Sequence, residues 1–88
     1  MNRFTIDDSF AIEPDKFVFA GRVLEGRAEP RMVFEVPEAG HKWRVIIKAV
    51  EFVRKRGGDE LLGLVVQDAH YLPGLGVGWT AELHEAEA

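Results

Sequence analysis

Lys42-Trp43-Arg44-Val45-Ile46-Ile47-Lys48-Ala49-Val50-Glu51-Phe52 is the stretch on which the fold turns. Up to Lys48 the odd positions Trp43, Val45 and Ile47 are apolar and spaced for one face of a strand. From Val50 the even positions Val50 and Phe52 join in, so the apolar face changes side. Side chains alternate across a strand with a period of two, and one extra residue moves every later side chain to the opposite face. A bulge within Lys48 to Val50 accounts for the switch, and small barrels use such bulges to turn corners.

On either side of this strand, turn signals separate runs rich in β-branched and aromatic residues. Arg3 to Ile12 reads as a first strand closed by Glu13-Pro14-Asp15-Lys16, with proline set for a type I turn. Lys16 to Glu25 is the second, and Gly21 within it marks a bend or a close approach of another backbone. Met32 to Val36 is the third, stopped by Pro37 and Glu38-Ala39-Gly40, and Gly57-Gly58 ends the fourth. Leu61 to Gln67 is the fifth. After the Pro73-Gly74-Leu75-Gly76 turn, Val77 to Leu83 is the sixth. No helical period persists over a useful length. Six strands in 88 residues cannot leave apolar edges open, so the expected fold is all-β, a small closed six-stranded antiparallel barrel. Phe17, Phe19, Trp43, Ile47, Phe52, Leu64 and Val66 are expected in its interior or on a covered face.

Length allows one domain, ordered from residue 4 to residue 83 with a frayed acidic tail over 84–88. The chain has no cysteine, hence no disulfide, thiolate nucleophile or thiolate zinc site. Met1 to Ile12 lacks the pattern of a signal peptide and no window approaches a membrane span, so a cytoplasmic location and no membrane role are expected. Net charge is -4, unevenly spread: residues 41–56 carry +5 and the remainder -9. Lys42, Arg44, Lys48, Arg54, Lys55 and Arg56 thus form a basic ribbon on an acidic protein. Such a ribbon meets phosphates, or it is a solvated strand face whose cations discourage edge pairing.

Phe4-Thr5-Ile6-Asp7-Asp8-Ser9-Phe10-Ala11-Ile12, followed by Ala20-Gly21-Arg22-Val23-Leu24-Glu25-Gly26, resembles the opening of domain 2 of elongation factor Tu and related translational GTPases. Val50 to Lys55 resembles the fourth-strand segment of that family, and Glu60 to Val66 the strand after it, so the resemblance spans Phe4 to Leu83. It implies a six-stranded antiparallel barrel that binds the acceptor end of aminoacyl-tRNA or docks on the ribosome. Carried over residue by residue, the pocket for the terminal nucleotide and aminoacyl group falls at Asp8, Phe10, Ile12, Val18, Glu51 and Val65. The packing alternative keeps Ile12, Val18 and Val65 as core residues. The family's Gly-Arg-Gly-Thr-like turn is replaced by Glu13-Pro14-Asp15-Lys16, and no Gly-x-x-x-x-Gly-Lys-Ser/Thr loop is present.

Nothing points to catalysis. His41, His70 and His84 fall in loops or the tail without metal-ligand spacing, and the single serine, Ser9, has no nucleophile elbow around it. Asp7 and Asp8, adjacent on a strand, should point to opposite faces and chelate poorly. Gly74-Leu75-Gly76-Val77-Gly78 is followed by no helix and reads as a turn. No cofactor and no metal are expected. Two classes of function stay open, with an enzyme third behind them: a stand-alone binding module for RNA or a protein of the translation apparatus, and a regulatory domain that self-associates or caps a partner. A homodimer is suggested because both faces of Lys16 to Glu25 are apolar, with Phe34 or Trp79 contributing to the contact. Glu51, the one acid in the basic ribbon, calls for a partner such as a ribose hydroxyl or Arg54.

Overall fold

Six antiparallel strands close on themselves in the order β1-β2-β5-β4-β3-β6. They are β1 (Asn2–Glu13), β2 (Lys16–Glu25), β3 (Met32–Glu38), β4 (His41–Arg54), β5 (Glu60–Val66) and β6 (Thr80–Glu85). The structure is a computed structural model describing residues 1–13, 16–38, 40–54, 57–58, 60–66 and 71–86. Pro14, Asp15, Lys55, Arg56, Gln67 and His70 lie outside those residues. Among the described residues there is no helix, so none is long and apolar enough to cross a membrane.

The corner in β4 is where the alternation places it. Ile47 pairs with Val66 and Ala49 with Val65, so Lys48 is the inserted residue. At this point the strand changes neighbours: His41 to Ile46 pair with β3, and Ile47 to Arg54 pair with β5. Before the bulge Val45 and Ile47 enter the core, and after it Val50 packs against the core instead. Phe17, Phe19, Leu64 and Val66 complete that interior as expected, with edge-to-face rings such as Phe17–Phe19 at 5.2 Å and Phe19–Phe34 at 5.5 Å.

Trp43 and Phe52 depart from expectation. Both have the inward parity, yet Trp43 is 42% and Phe52 78% exposed. Phe52 lies on the part of β4 that β3 no longer accompanies, so no wall stands opposite it. Trp43 sits toward the other end of the strand, where its ring meets those of His41 and Tyr71. β3 also continues through Pro37, which pairs with Lys42. The Glu35 carbonyl accepts a 3.3 Å bond from Trp79 Nε1 and so faces away from β4. Two residues on, the missing N–H of Pro37 faces that same side, where β3 and β6 pair only at Met32 and Val33 and no ladder bond is lost.

The sixth strand starts at Thr80, later than the alternation suggests, because residues 72–79 make three overlapping turns. Leu75 N–H donates to Leu72 O, Val77 to Gly74 O and Trp79 to Gly76 O. Each turn has a glycine in third place, with φ of 91°, 75° and 88° at Gly74, Gly76 and Gly78, a conformation that ends extended pairing. The loop drops Leu75 into the core and lies along β1, through Gly74 N–H to Ser9 O and Gly78 N–H to Ile6 O. At the far end β6 runs on through His84 and Glu85, paired with Val33 and Met32, so these two residues belong to the barrel and not to a frayed tail.

The outer face of β2 is covered by the chain itself. Val18 is 1% exposed and Ala20 is buried, which removes the need for a second copy as their cover. Gly63 makes this possible: a Cβ there would come within 2.6 Å of Val53 Cγ2 and 3.1 Å of Val18 Cγ1, so the bare glycine lets those two side chains close over β5. Gly21 acts similarly on the other side of the strand, since a Cβ there would run into the Thr5 carbonyl of β1.

Candidate functional site

Two register rows bring the pocket residues named above together. Asp8 pairs with Ala20, Ala20 with Gly63 and Gly63 with Glu51; one row over, Phe10 pairs with Val18, Val18 with Val65 and Val65 with Ala49. These rows cross the outer face of β1-β2-β5-β4, because their neighbours Phe19 and Leu64 point into the core. Ala20 in these rows is buried and the Val18 and Val53 side chains close over Gly63, so this face is a packed surface flanked by β1 and β4 side chains. Ile12, half exposed, stands toward the end of β1, beside the irregularity between Ala11 and Glu13.

Val18 and Val65, at 1% and 3% exposed, are buried within this face. The groups a ligand can reach directly are Asp8, Phe10, Ile12 and Glu51. Among the described residues Glu51 pairs with neither Arg54 nor any other arginine. Its carboxylate lies 3.6 Å from the Lys16 ammonium, and the two residues sit on the strands flanking β5. Both side chains are substantially exposed, so the pair contributes at most ~1 kcal/mol and is readily opened.

A bulge between Ile6 and Asp8 changes the expectation for the two aspartates. Asp7 is the inserted residue, and both carboxylates lie outside the barrel. They take separate partners: Asp7 pairs with Arg22 at 3.4 Å, and Asp8 Oδ1 accepts the Ser9 N–H at 2.9 Å. Ser9 itself is buried, its hydroxyl donating to Leu75 O at 2.8 Å. No group of three or more His, Cys, Asp or Glu side chains converges among the described residues.

The charges are sorted by strand. Arg3 pairs with Glu25, Lys16 with Glu51, Arg22 with Asp7, and Arg27 with Glu29 and Glu85. By contrast Lys42, Arg44, Lys48 and Arg54 on β4, and Arg31 beside it, make no ion pair among the described residues. Acids are within register, Glu35 opposite Arg44 and Glu60 opposite Arg54, yet no bridge forms. Arg31 is tied to the β4 corner, its N–H donating to Ile47 O at 2.7 Å. Lys42 and Arg44 lie on the outer face with Ile46, since Val45 and Ile47 point inward, and the inserted Lys48 is exposed beyond them. Arg54 falls on the other parity, with Phe52, so the bulge divides the basic ribbon. The outer cations lead along β4 toward Glu51.

Lys16, Arg31 and the exposure of Trp43 are not singled out by sequence reasoning. Arg31 carries one signal: Pro30 precedes it in a turn closed by Met32 N–H to Glu29 O, and its φ of 77° is the left-handed value usually left to glycine. A groove of about 550 Å³ lies outside β1, β6 and β3, where Arg3, Glu35, Trp79 and Glu82 line it. Compared with protein-family models, curated proteins and solved structures, the chain matches none.

Proposed function

We propose that this chain is a non-catalytic binding module for a single-stranded RNA end, of the kind its resemblance to translation-factor barrels implies, acting in the cytoplasm. The observation that supports it most is the sorting of charge. On a protein of net charge -4, the unpaired cations among the described residues gather on β4 and at Arg31, while the cations elsewhere are neutralised. Unpaired surface cations in a row are the form a phosphate-binding track takes. Phosphates lie along Lys42, Arg44 and Lys48, and the terminal nucleoside lies against the outer face of β1-β2-β5-β4. On that face Phe10 and Ile12 offer apolar contact, and Asp8 and Glu51 accept hydrogen bonds from ribose hydroxyls or an amino group. This requires the Lys16–Glu51 pair to open, which costs little.

An NMR titration with a short CCA-ending RNA at low salt tests this reading. Shifts at Asp8, Ile12, Glu51 and the β4 cations are the expected result, and their absence removes it. A protein-interaction role is the second reading, favoured by Phe52, whose ring is largely exposed beside an unaccompanied stretch of β4.

A further inference from the structure

At Lys48 strand β4 leaves β3, and beyond that corner only one of its two edges is used. Ile47 to Arg54 pair with β5. On the opposite edge β3 reaches no further than Val33 against Ile46, and the Arg31 N–H takes the Ile47 carbonyl. From Lys48 to Arg54 no strand and no loop backbone bond meets that edge among the described residues. Alternate N–H and C=O groups there have no ladder partner, and such a row is a template for one further strand.

The side chains along this edge are ordered. Phe52 pairs across the ladder with Leu62 and follows Val50 on the same face; Val50 and Leu62 pack on the core, while the Phe52 ring is largely exposed. Arg54 comes next on that face, and Lys48 and Arg31 stand at the other end, all three exposed and without an ion pair among the described residues. An apolar centre thus lies between cations. Unpaired backbone groups specify an extended chain as the occupant, and the cations specify its charge. A second copy of this edge would bring Arg31, Lys48 and Arg54 against their own kind, with Glu51 alone to offset them, so like-charge repulsion discourages self-pairing.

We propose that the free edge of β4, from Lys48 to Arg54, binds an extended acidic segment of a partner protein by strand addition. The segment lies in line with β3, antiparallel to β4. Backbone hydrogen bonds hold it, β-branched residues sit beside Val50 and Phe52, and carboxylates at its two ends meet Arg54 and the Lys48–Arg31 corner. This rests on the protein-interaction reading and not on RNA binding, since Lys42 and Arg44 lie on the other side of the bulge.

The test is an NMR titration of the full chain with a capped peptide, Asp-Thr-Val-Thr-Val-Thr-Glu, whose acids fall toward Arg54 and Lys48 and whose valines fall against Phe52 and Val50. Shifts and slowed amide exchange confined to Lys48 to Arg54 and its β5 neighbours are expected. The same peptide with alternate amides N-methylated should bind about 2-fold to 10-fold more weakly for each bond removed, and one with lysines for the acids should not bind. Phe52→Thr, a change at an exposed site, should lower affinity by up to about 5-fold. If the N-methylated peptide binds as well as its parent, strand addition is refuted while Phe52 keeps a side-chain role in protein contact. If no peptide perturbs the edge at millimolar concentration, both fall. If these amides become protected with rising protein concentration and no peptide, the occupant is a second copy and the acidic segment is refuted. If a single-stranded RNA shifts them and the peptide does not, the edge belongs to the nucleic-acid site.

Discussion

The Ser9 hydroxyl donates to the Leu75 carbonyl oxygen across 2.8 Å inside the barrel, joining β1 to the loop that replaces the start of the last strand. Leu75 plugs the core from that loop, and the bond spans 66 positions of sequence. Ser9→Ala removes the donor and leaves a buried carbonyl less well satisfied. Stability should fall by about 1–3 kcal/mol, read as a lower urea midpoint at unchanged slope.

Glycines with similar dihedrals should differ in cost. At Gly74 a Cβ meets nothing within 4 Å, so Gly74→Ala carries only the left-handed penalty of about 1–2 kcal/mol. At Gly76 the same atom comes within 2.8 Å of Val36 Cγ1 and 3.2 Å of Ile6 Cδ1, adding about 1–3 kcal/mol of overpacking. Gly21→Ala should be the most damaging, because the atom in the way is the Thr5 backbone carbonyl, which cannot rotate aside. Thermal melts of the three variants should rank in that order.

Arg31 holds a φ of 77° at the third position of the turn after Pro30. Glycine adopts this conformation without steric penalty, though it loses more entropy on folding, so Arg31→Gly should raise stability by roughly 0.5–1 kcal/mol. It also removes one cation, unpaired among the described residues, next to the β4 corner. Higher stability together with weaker RNA binding would mark a residue kept for the surface at the fold's expense. Lower stability would show that the side chain supports the turn.

Much of this fold is legible in local alternation, and the departures have physical causes. The corner at Lys48 is readable because Val45, Ile47, Val50 and Phe52 record the change of face directly. Parity, however, says which way a side chain points and not whether a wall stands opposite, which is why Trp43 and Phe52 end up exposed. Val77-Gly78-Trp79-Thr80 alternates like a strand, but left-handed φ at Gly78 breaks it. Leu75 enters the core from a loop, where no period can announce it. Of the candidate site, the shared face of Asp8, Phe10, Val18, Val65 and Glu51 follows from strand register. The Lys16–Glu51 pair reaches across an intervening strand and has no signature in the sequence.

Glu51→Gln separates a surface pair from a ligand contact. Loss of the exposed Lys16 bridge should change stability by at most ~1 kcal/mol. If the carboxylate receives a ribose hydroxyl or an amino group, affinity for a CCA-ending RNA should fall by about 1 kcal/mol or more. Unchanged affinity would assign Glu51 to the barrel wall.

The salt dependence of RNA affinity, measured for the wild type and for Lys42→Gln/Arg44→Gln/Lys48→Gln, tests the central claim most directly. Three phosphate contacts on a single strand predict a slope of log K against log salt of about -2, which the triple variant should bring close to zero while remaining folded. Absence of binding to any single strand at low salt, or a slope that the triple variant leaves unchanged, would contradict the account.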